Sequence, residues 1–295
     1  MMDAQKIDSF MAESDKLGKF HPVLDAKLFD EQLKRCDEMY KALTEDEKKV
    51  IETRRAVLAQ GLVAPTKLVD PPDVIRLDLA CGQNCREGFQ GVDLPGTGAH
   101  IDAQLAELRA KSGRTVDDDK LLLDLEKAKV SLKHEFNLLR FPWPWQDSSV
   151  TEIHCSHFIE HIPTEFVDEH GNYVPCGTPG SKDLFFKFFD EVYRILKPGG
   201  LAQIITPNAR NNRAFQDPTH RRFIVAETFF YLFSNFRKIN KLDHYNVVCD
   251  FDGNVGHTVD NEFNVRDPEV QQRQLKYDWN VVHDWVVTLK SNKKA

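Results

Sequence analysis

Val74-Ile-Arg-Leu-Asp-Leu-Ala-Cys-Gly-Gln-Asn84, followed closely by Phe89-Gln-Gly-Val-Asp-Leu94, is the stretch whose reading decides the fold. Val74, Ile75, Leu77 and Leu79 make a short strand-like run, which stops at a turn holding Gly82. The second run ends on an acid, Asp93. In an open parallel sheet, ligands sit at the carboxyl ends of the strands near the switch point. A strand, a tight glycine turn and a second strand ending in a carboxylate suit a nucleoside there. The glycine lets backbone approach the ligand, and the acid accepts hydrogen bonds from ribose hydroxyls. The dinucleotide fingerprint G-x-G-x-x-G is absent, because Ala80 and Asn84 stand where further glycines belong. A pyrophosphate needs several close backbone contacts, so NAD and FAD are disfavoured, whereas a nucleoside without phosphates makes weaker demands.

Downstream, residues 95–131 are charged, with helical pieces around Ala103–Lys111 and Asp118–Val130, and read as a crossover with an insertion. Strands are expected at Leu132–Leu138, Val150–Cys155, Leu201–Thr206 and Asn280–Leu289. Ser181–Lys197 is a helix with Phe185, Phe188, Phe189, Val192, Ile195 and Leu196 on one face, stopped by Pro198-Gly-Gly200. Strands alternating with helices predict an α/β fold, a mostly parallel sheet covered on both faces. Upstream, two helices are expected between Asp25 and Gln60. Phe29, Leu33, Cys36, Tyr40 and Leu43 line the first. Thr44 and Glu47 form a capping box for the second, which Gly61 ends. The organisation is therefore an N-terminal helical extension, 1–70, and a main domain, 71–295, with the insertion at about 95–131.

The 295 residues are 41% hydrophobic with 20 Phe, enough for a substantial core, and the formal net charge of −7 gives no indication of nucleic-acid binding. The six cysteines are scattered without paired C-x-x-C spacing, which fits a reducing compartment. No apolar run reaches the ~20 residues of a membrane span, and no signal-peptide stretch opens the chain. The expectation is a cytoplasmic protein with a small-molecule substrate and no membrane partner.

The segments quoted so far resemble class I S-adenosylmethionine-dependent methyltransferases of the methyltransferase type 11-like kind. Asp78-Leu-Ala-Cys-Gly-Gln-Asn84 is similar to their first motif and Gly91-Val-Asp-Leu94 to the acidic second one. Phe141-Pro-Trp-Pro-Trp-Gln-Asp-Ser-Ser149 is similar to the loop before their fourth strand. Ile153-His-Cys-Ser-His-Phe-Ile-Glu-His161 is similar to the strand and helix start that follow, and Glu191-Val-Tyr-Arg-Ile-Leu-Lys-Pro-Gly-Gly200 to the junction into strand five. The resemblance covers about Asp73 to Asn208. It implies a Rossmann-like seven-stranded sheet, S-adenosyl-L-methionine as cofactor and methyl transfer to a small-molecule oxygen or nitrogen acceptor. It also implies roles. Asp78, Ala80 and Gly82 border the methionine part of the cofactor, and Asp93 takes the ribose hydroxyls, with Leu94 against the adenine. Asn137 and Leu138, at the end of strand three, sit by the adenine edge. Ser156 and His157, at the end of strand four, face the reacting methyl. Ala80 and Asn84 depart from the family pattern, and the gap from Asp78 to Asp93 is short, so the helix after strand one must be abbreviated.

A second cluster, Phe215-Gln-Asp-Pro-Thr-His-Arg-Arg222, follows strand five, where loops of such sheets carry substrate. Asp217 and His220 are candidates for deprotonating the acceptor, with His157 as a further base, because an unperturbed His titrates near pH ~6.5. Arg221, Arg222 and His161 are candidates for binding the substrate. His157, Glu160 and His161 also have the H-x-x-E-H spacing of inverted zinc proteases, a reading that needs a further ligand. Glu160 and His161 are taken instead to shape the pocket floor, and no metal is assigned. The altered glycine turn also admits a catalytically silent nucleoside-binding scaffold or sensor.

Overall fold

The computed structural model describes residues 26–45 and 74–294, with Lys6, Ser9 and Lys48 besides. The chain divides into two units, Met1–Val69 and Asp70–Ala295. In the first, helix α1 (Ala26–Lys41) matches the expected first helix, and Cys36 and Leu43 are buried. Of the expected second helix only Thr44, Glu45 and Lys48 are described. Its remainder and the Pro65–Pro72 linker lie outside the described residues.

In the second unit, β1 (Arg76–Leu79), β2 (Gln90–Asp93), β3 (Leu132–Glu135), β4 (Val150–Ser156), β8 (Leu196–Pro207), β9 (Phe251–His257) and β10 (Asp284–Ser291) form one sheet. Their order is β3-β2-β1-β4-β8-β10-β9, so the sheet has seven strands as expected. The first five are parallel, and β10 runs antiparallel to both β8 and β9. Strand order reverses between β1 and β4, which makes their carboxyl ends the switch point.

One face of the sheet is apolar. Leu77, Leu79, Val92, Ile153, Cys155, Ala202, Ile204, Val287 and Leu289 alternate onto it and are fully buried. Helix α4 (Leu184–Ile195) packs Phe185, Phe188, Phe189, Val192 and Ile195 there. Each such side chain contributes roughly 1.5–3 kcal/mol by leaving water. The helix begins later than Ser181 because Asp183 caps it, accepting the Phe185 N–H at 2.7 Å.

The other face is polar over the central strands. Arg76 lies beside Glu152, Asp78 beside His154, and His154 beside Gln203. Helices α2 (Thr97–Ala110) and α3 (Val116–Ser131) bear out the helical reading of 95–131. They bury Ile101, Leu105, Leu125 and Ala128 against Leu132, at the β2–β3 end. Helices α2 and α3 thus cover this face at that end. The connection from β1 to β2 contains no helix, where an abbreviated one was expected. Arg86 and Phe89 from the turn lie over the strands instead. Arg86 Nη1 donates to Gln203 Oε1 at 2.7 Å, and its guanidinium sits 5.1 Å from the Phe89 ring centre.

Several features differ from expectation. β3 stops at Glu135, and the Phe136 N–H donates to the Asp93 carbonyl at 2.8 Å. β10 begins at Asp284 rather than Asn280, whose left-handed backbone (φ 63°) belongs to a turn. The edge strand β9, the helix α7 (Pro268–Tyr277) and a small antiparallel sheet of β5 (Phe166–Val167), β6 (Tyr173–Val174) and β7 (Lys182–Asp183) were not expected from the pattern. Helices α5 (Arg213–Gln216) and α6 (Ser234–Asn240) are short.

The aromatic loop before β4 is clamped to α4. Arg194 donates to the carbonyls of Trp143 (3.0 Å) and Trp145 (2.9 Å) and to Asp147 (2.7 Å). Glu191, 5% exposed, accepts from the Trp143 N–H at 2.9 Å and from Arg194 at 2.8 Å. Arg194→Met leaves Glu191 buried without its cation. It is expected to lower unfolding stability by about 3–5 kcal/mol, read as a fall in the urea midpoint. An unchanged midpoint would show that the clamp is dispensable.

Candidate active site at the strand ends

The turn after β1 is built around two carboxylates. Asp78, 2% exposed, accepts the Arg86 N–H at 2.6 Å on Oδ2 and pairs with His154 Nδ1 at 2.8 Å through Oδ1. It therefore anchors the far end of the turn to β4. Asp93 holds the near end. Its Oδ2 accepts the Gly82 N–H at 2.5 Å, and its Oδ1 accepts the Leu94 N–H at 2.7 Å and the Thr97 hydroxyl at 3.4 Å. The glycine bend and the acid thus touch across eleven positions of sequence. A carboxylate oxygen carries two lone pairs, so Oδ2 keeps one for another donor. Leu94 is 55% exposed beside it.

The two bends of this turn have the same unusual backbone. Ala80 and Gly82 both have φ of 53°, a left-handed conformation that costs a residue with a Cβ roughly 1–2 kcal/mol. Space around Gly82 is open, so a Cβ there meets nothing within 4 Å. Gly91 is different. A Cβ on it lies 2.8 Å from Cys81 Sγ and 3.2 Å from the backbone of both Leu132 and Ser131. Cys81 is buried, and its thiol is held well above the usual range by a hydrogen bond with Cys85 and by burial.

The adenine-side residues sit differently from expectation. Leu138 is 3% exposed and belongs to the core, with its carbonyl accepting the Trp143 indole N–H at 2.9 Å. This departs from the adenine-edge role, because the strand ends early and the chain turns inward. Asn137 Oδ1 accepts the Leu139 N–H at 2.9 Å and so closes its own turn.

At the end of β4, Ser156 lies beside Ile205 of β8, and the His157 N–H donates to the Ile205 carbonyl at 2.8 Å. His157 has φ of 53° and a side chain 47% exposed. The helix start expected here is one 3₁₀ turn, Ile159–His161. It aims Glu160 inward (1% exposed), where Oε2 accepts the Thr206 hydroxyl at 3.0 Å. His157 Nδ1 lies 3.3 Å from Glu160 Oε1, and this carboxylate raises the His157 pKa against the opposing effect of burial.

The second cluster folds back onto this turn. The Glu160 carbonyl accepts the N–H of Arg221 (2.8 Å) and of Arg222 (3.0 Å), which brings His220 against His161 with ring centres 4.7 Å apart, edge to face. Asp217 accepts the Thr219 hydroxyl at 2.6 Å, and Thr219 in turn meets His161 Nδ1 at 3.0 Å. These Thr219 bonds lower the Asp217 pKa. Arg221 is exposed, with a long 3.5 Å bond to the Pro218 carbonyl. Arg222 is a correction to the substrate-binding expectation. Its guanidinium bonds the carbonyls of Ile162 and Pro163 and both oxygens of Asp183, and stacks over Phe185, so it is part of the framework. Aromatic residues given no role from sequence also lie here. Phe215, Phe223 and Trp279, each about half exposed, stack beside the cluster, with the Phe215 and Phe223 centres 4.5 Å apart.

No family model and no curated protein sequence matches this chain. Among solved structures, the fold is similar to a SAM-dependent methyltransferase from Archaeoglobus fulgidus. The identity is 16% and the TM-score 0.43, over 81% of this chain and 94% of that one. It is similar to a putative methyltransferase of Haloferax volcanii in complex with the Trm112 methyltransferase activator: 11% identity, TM-score 0.38, 84% of this chain and 95% of that one. It is also similar to Haemonchus contortus phosphoethanolamine N-methyltransferase 2 in complex with S-adenosyl-L-methionine: 13% identity, TM-score 0.36, 82% of this chain and 53% of that one.

Gly91→Ala forces a shift of Cys81 or of the β3 backbone and is expected to cost about 1–3 kcal/mol. Gly82→Ala, with open space around it, costs only the backbone penalty of about 1–2 kcal/mol. Thermal unfolding of both variants checks the ranking. A Gly82→Ala protein less stable than Gly91→Ala would reverse it.

Proposed function

We propose that the protein is an S-adenosyl-L-methionine-dependent methyltransferase acting on a small-molecule oxygen or nitrogen acceptor. The observation that carries the reading is the contact between Gly82 and Asp93 at the switch point, with a carboxylate lone pair left over. The sequence motifs named earlier support it. A sugar hydroxyl finds an acceptor at Asp93, and Leu94 offers an exposed apolar surface to a base. Ala80 and Gly82 present turn backbone to the amino-acid end. Asp78 contributes by fixing that turn, since it is buried with a protein partner on each oxygen.

Methyl transfer from a sulfonium is an in-line displacement in which the cofactor brings the reactive carbon and the leaving group. The protein aligns the acceptor, which alone supplies up to ~7–11 kcal/mol. In this reading the acceptor lies over Ser156 and His157. His157, with its ring half exposed and Glu160 behind it, takes the acceptor's proton. The Phe215–Phe223–Trp279 stack gives the acceptor an apolar or flat part to rest on, and Arg221 gives it a cation at the rim.

Calorimetric titration with S-adenosylhomocysteine tests the reading directly. The unaltered chain is expected to bind one equivalent. Asp93→Ala is expected to bind about 10- to 100-fold more weakly, the equivalent of one lost hydrogen bond to a charged group. Circular dichroism confirms that the variant is folded. No binding by the unaltered chain would sink the proposal. Binding without methyl transfer to any acceptor tried would turn it toward a silent nucleoside-binding protein.

A further inference from the structure

We infer that Glu160, His161 and His220 form a binding site for one divalent first-row transition-metal ion. Their ligand atoms lie within 4.8 Å of one another, the group among the described residues placed to hold a metal. Neighbouring ligands on a tetrahedral ion with bonds of ~2.1 Å stand about 3.4 Å apart, so modest turns of two half-buried imidazoles close the set. Two imidazoles and one carboxylate suit zinc or iron and leave coordination positions open.

The hydrogen bonds around the cluster prepare it for an ion. The His220 Nδ1 lies 2.9 Å from the Ala214 carbonyl, which can only accept, so the proton sits on Nδ1 and the Nε2 lone pair is bare. The Thr219 hydroxyl donates its hydrogen to the Asp217 carboxylate at 2.6 Å, so its oxygen accepts from His161 Nδ1 at 3.0 Å. His161 Nε2 is bare for the same reason. Two neighbouring imidazoles are thus held in the same tautomer, each by an outer partner of the kind that metal-binding histidines use. A second observation is independent of them. Glu160 is 1% exposed, and its Oε1 has a long 3.3 Å approach from His157 Nδ1 in place of a well-formed hydrogen bond. A buried carboxylate oxygen met by a long contact to a half-exposed imidazole keeps lone pairs for a cation.

The set differs from the zinc-protease reading of the sequence. His157 approaches Glu160 but is not in the cluster, and His220, from sixty residues downstream of Glu160, takes its place. The inference stands apart from methyl transfer, because ion uptake is measurable whether or not a methyl group moves. If both readings hold, an oxygen of the acceptor is the group to fill an open position. His220 is then a metal ligand, and His157 remains to accept the proton.

The test uses the full chain, stripped with chelator and titrated with Zn²⁺ by calorimetry and with Co²⁺ by visible absorption. One ion per chain is expected, with a Co²⁺ spectrum free of a thiolate charge-transfer band. His161→Gln and His220→Gln are each expected to weaken Zn²⁺ binding more than about 100-fold. Thr219→Val, which removes only the outer partner of His161, is expected to weaken it about 10- to 100-fold. His244→Gln, outside the cluster, binds as the unaltered chain does. Because Glu160 is buried, its substitution risks misfolding, and the histidine variants carry the test. The inference is overturned by absence of stoichiometric Zn²⁺ uptake, by a thiolate band pointing to Cys81 and Cys85, or by unchanged affinity in both histidine variants.

Discussion

A carboxylate buried at 2% exposure joins β1, the turn that follows it and β4. Asp78 on β1 takes the ring nitrogen of His154 on β4 and the backbone of Arg86 in the following turn. Bonds to a charged group are worth about 1.5–3 kcal/mol each, and a buried carboxylate left unpaired costs more than either. The turn therefore has little freedom. Its path returns Gly82 to Asp93, carries Arg86 to Gln203 and lays Phe89 edge-on to His154. The surface open to a ligand at the switch point depends on that path.

The sheet is consequently two-sided in chemistry. One face has the fully buried apolar side chains and the phenylalanines of α4, which supply the bulk of the hydrophobic stabilisation. Over the central strands the opposite face carries paired polar groups, held by specific bonds rather than area. At the carboxyl edge the two regimes meet. Glu160 points into the apolar side, while His157, His161 and His220 stay half open beside it. A buried acid next to partly exposed imidazoles sets up a local field that water does not screen out.

Much of this was legible from the residues. The strand-turn-strand-acid order located the bend and the carboxylate that proved to touch, and the spacing of Phe185, Phe188, Phe189 and Val192 located α4. The helical pieces of 95–131 were legible as well. What escaped did so for physical reasons. The alternation of Glu152 with Ile153 and His154 with Cys155 carries a polar-face signal, but it does not say which groups the polar side chains meet. β9 has the sequence Phe-Asp-Gly-Asn-Val-Gly-His, which gains its pairing from β10 rather than from its own propensity. Leu138 and Arg222 could be placed only in three dimensions, since one meets Trp143 and the other Asp183. The meeting of His161 with His220 depends on two backbone bonds to the Glu160 carbonyl, which no spacing rule contains.

The missing crossover helix has a consequence for charge. A helix starting after the first strand would aim its backbone dipole, equivalent to roughly half a positive charge, at whatever lies over the turn. Between residues 80 and 89 there is no such terminus, and the fixed charges of the turn are the carboxylates of Asp78 and Asp93 and the guanidinium of Arg86. The turn therefore offers a phosphate no helix terminus to sit on. A molecule carrying a positive centre meets no opposing helix dipole there, and its charge is left to the side chains of the turn.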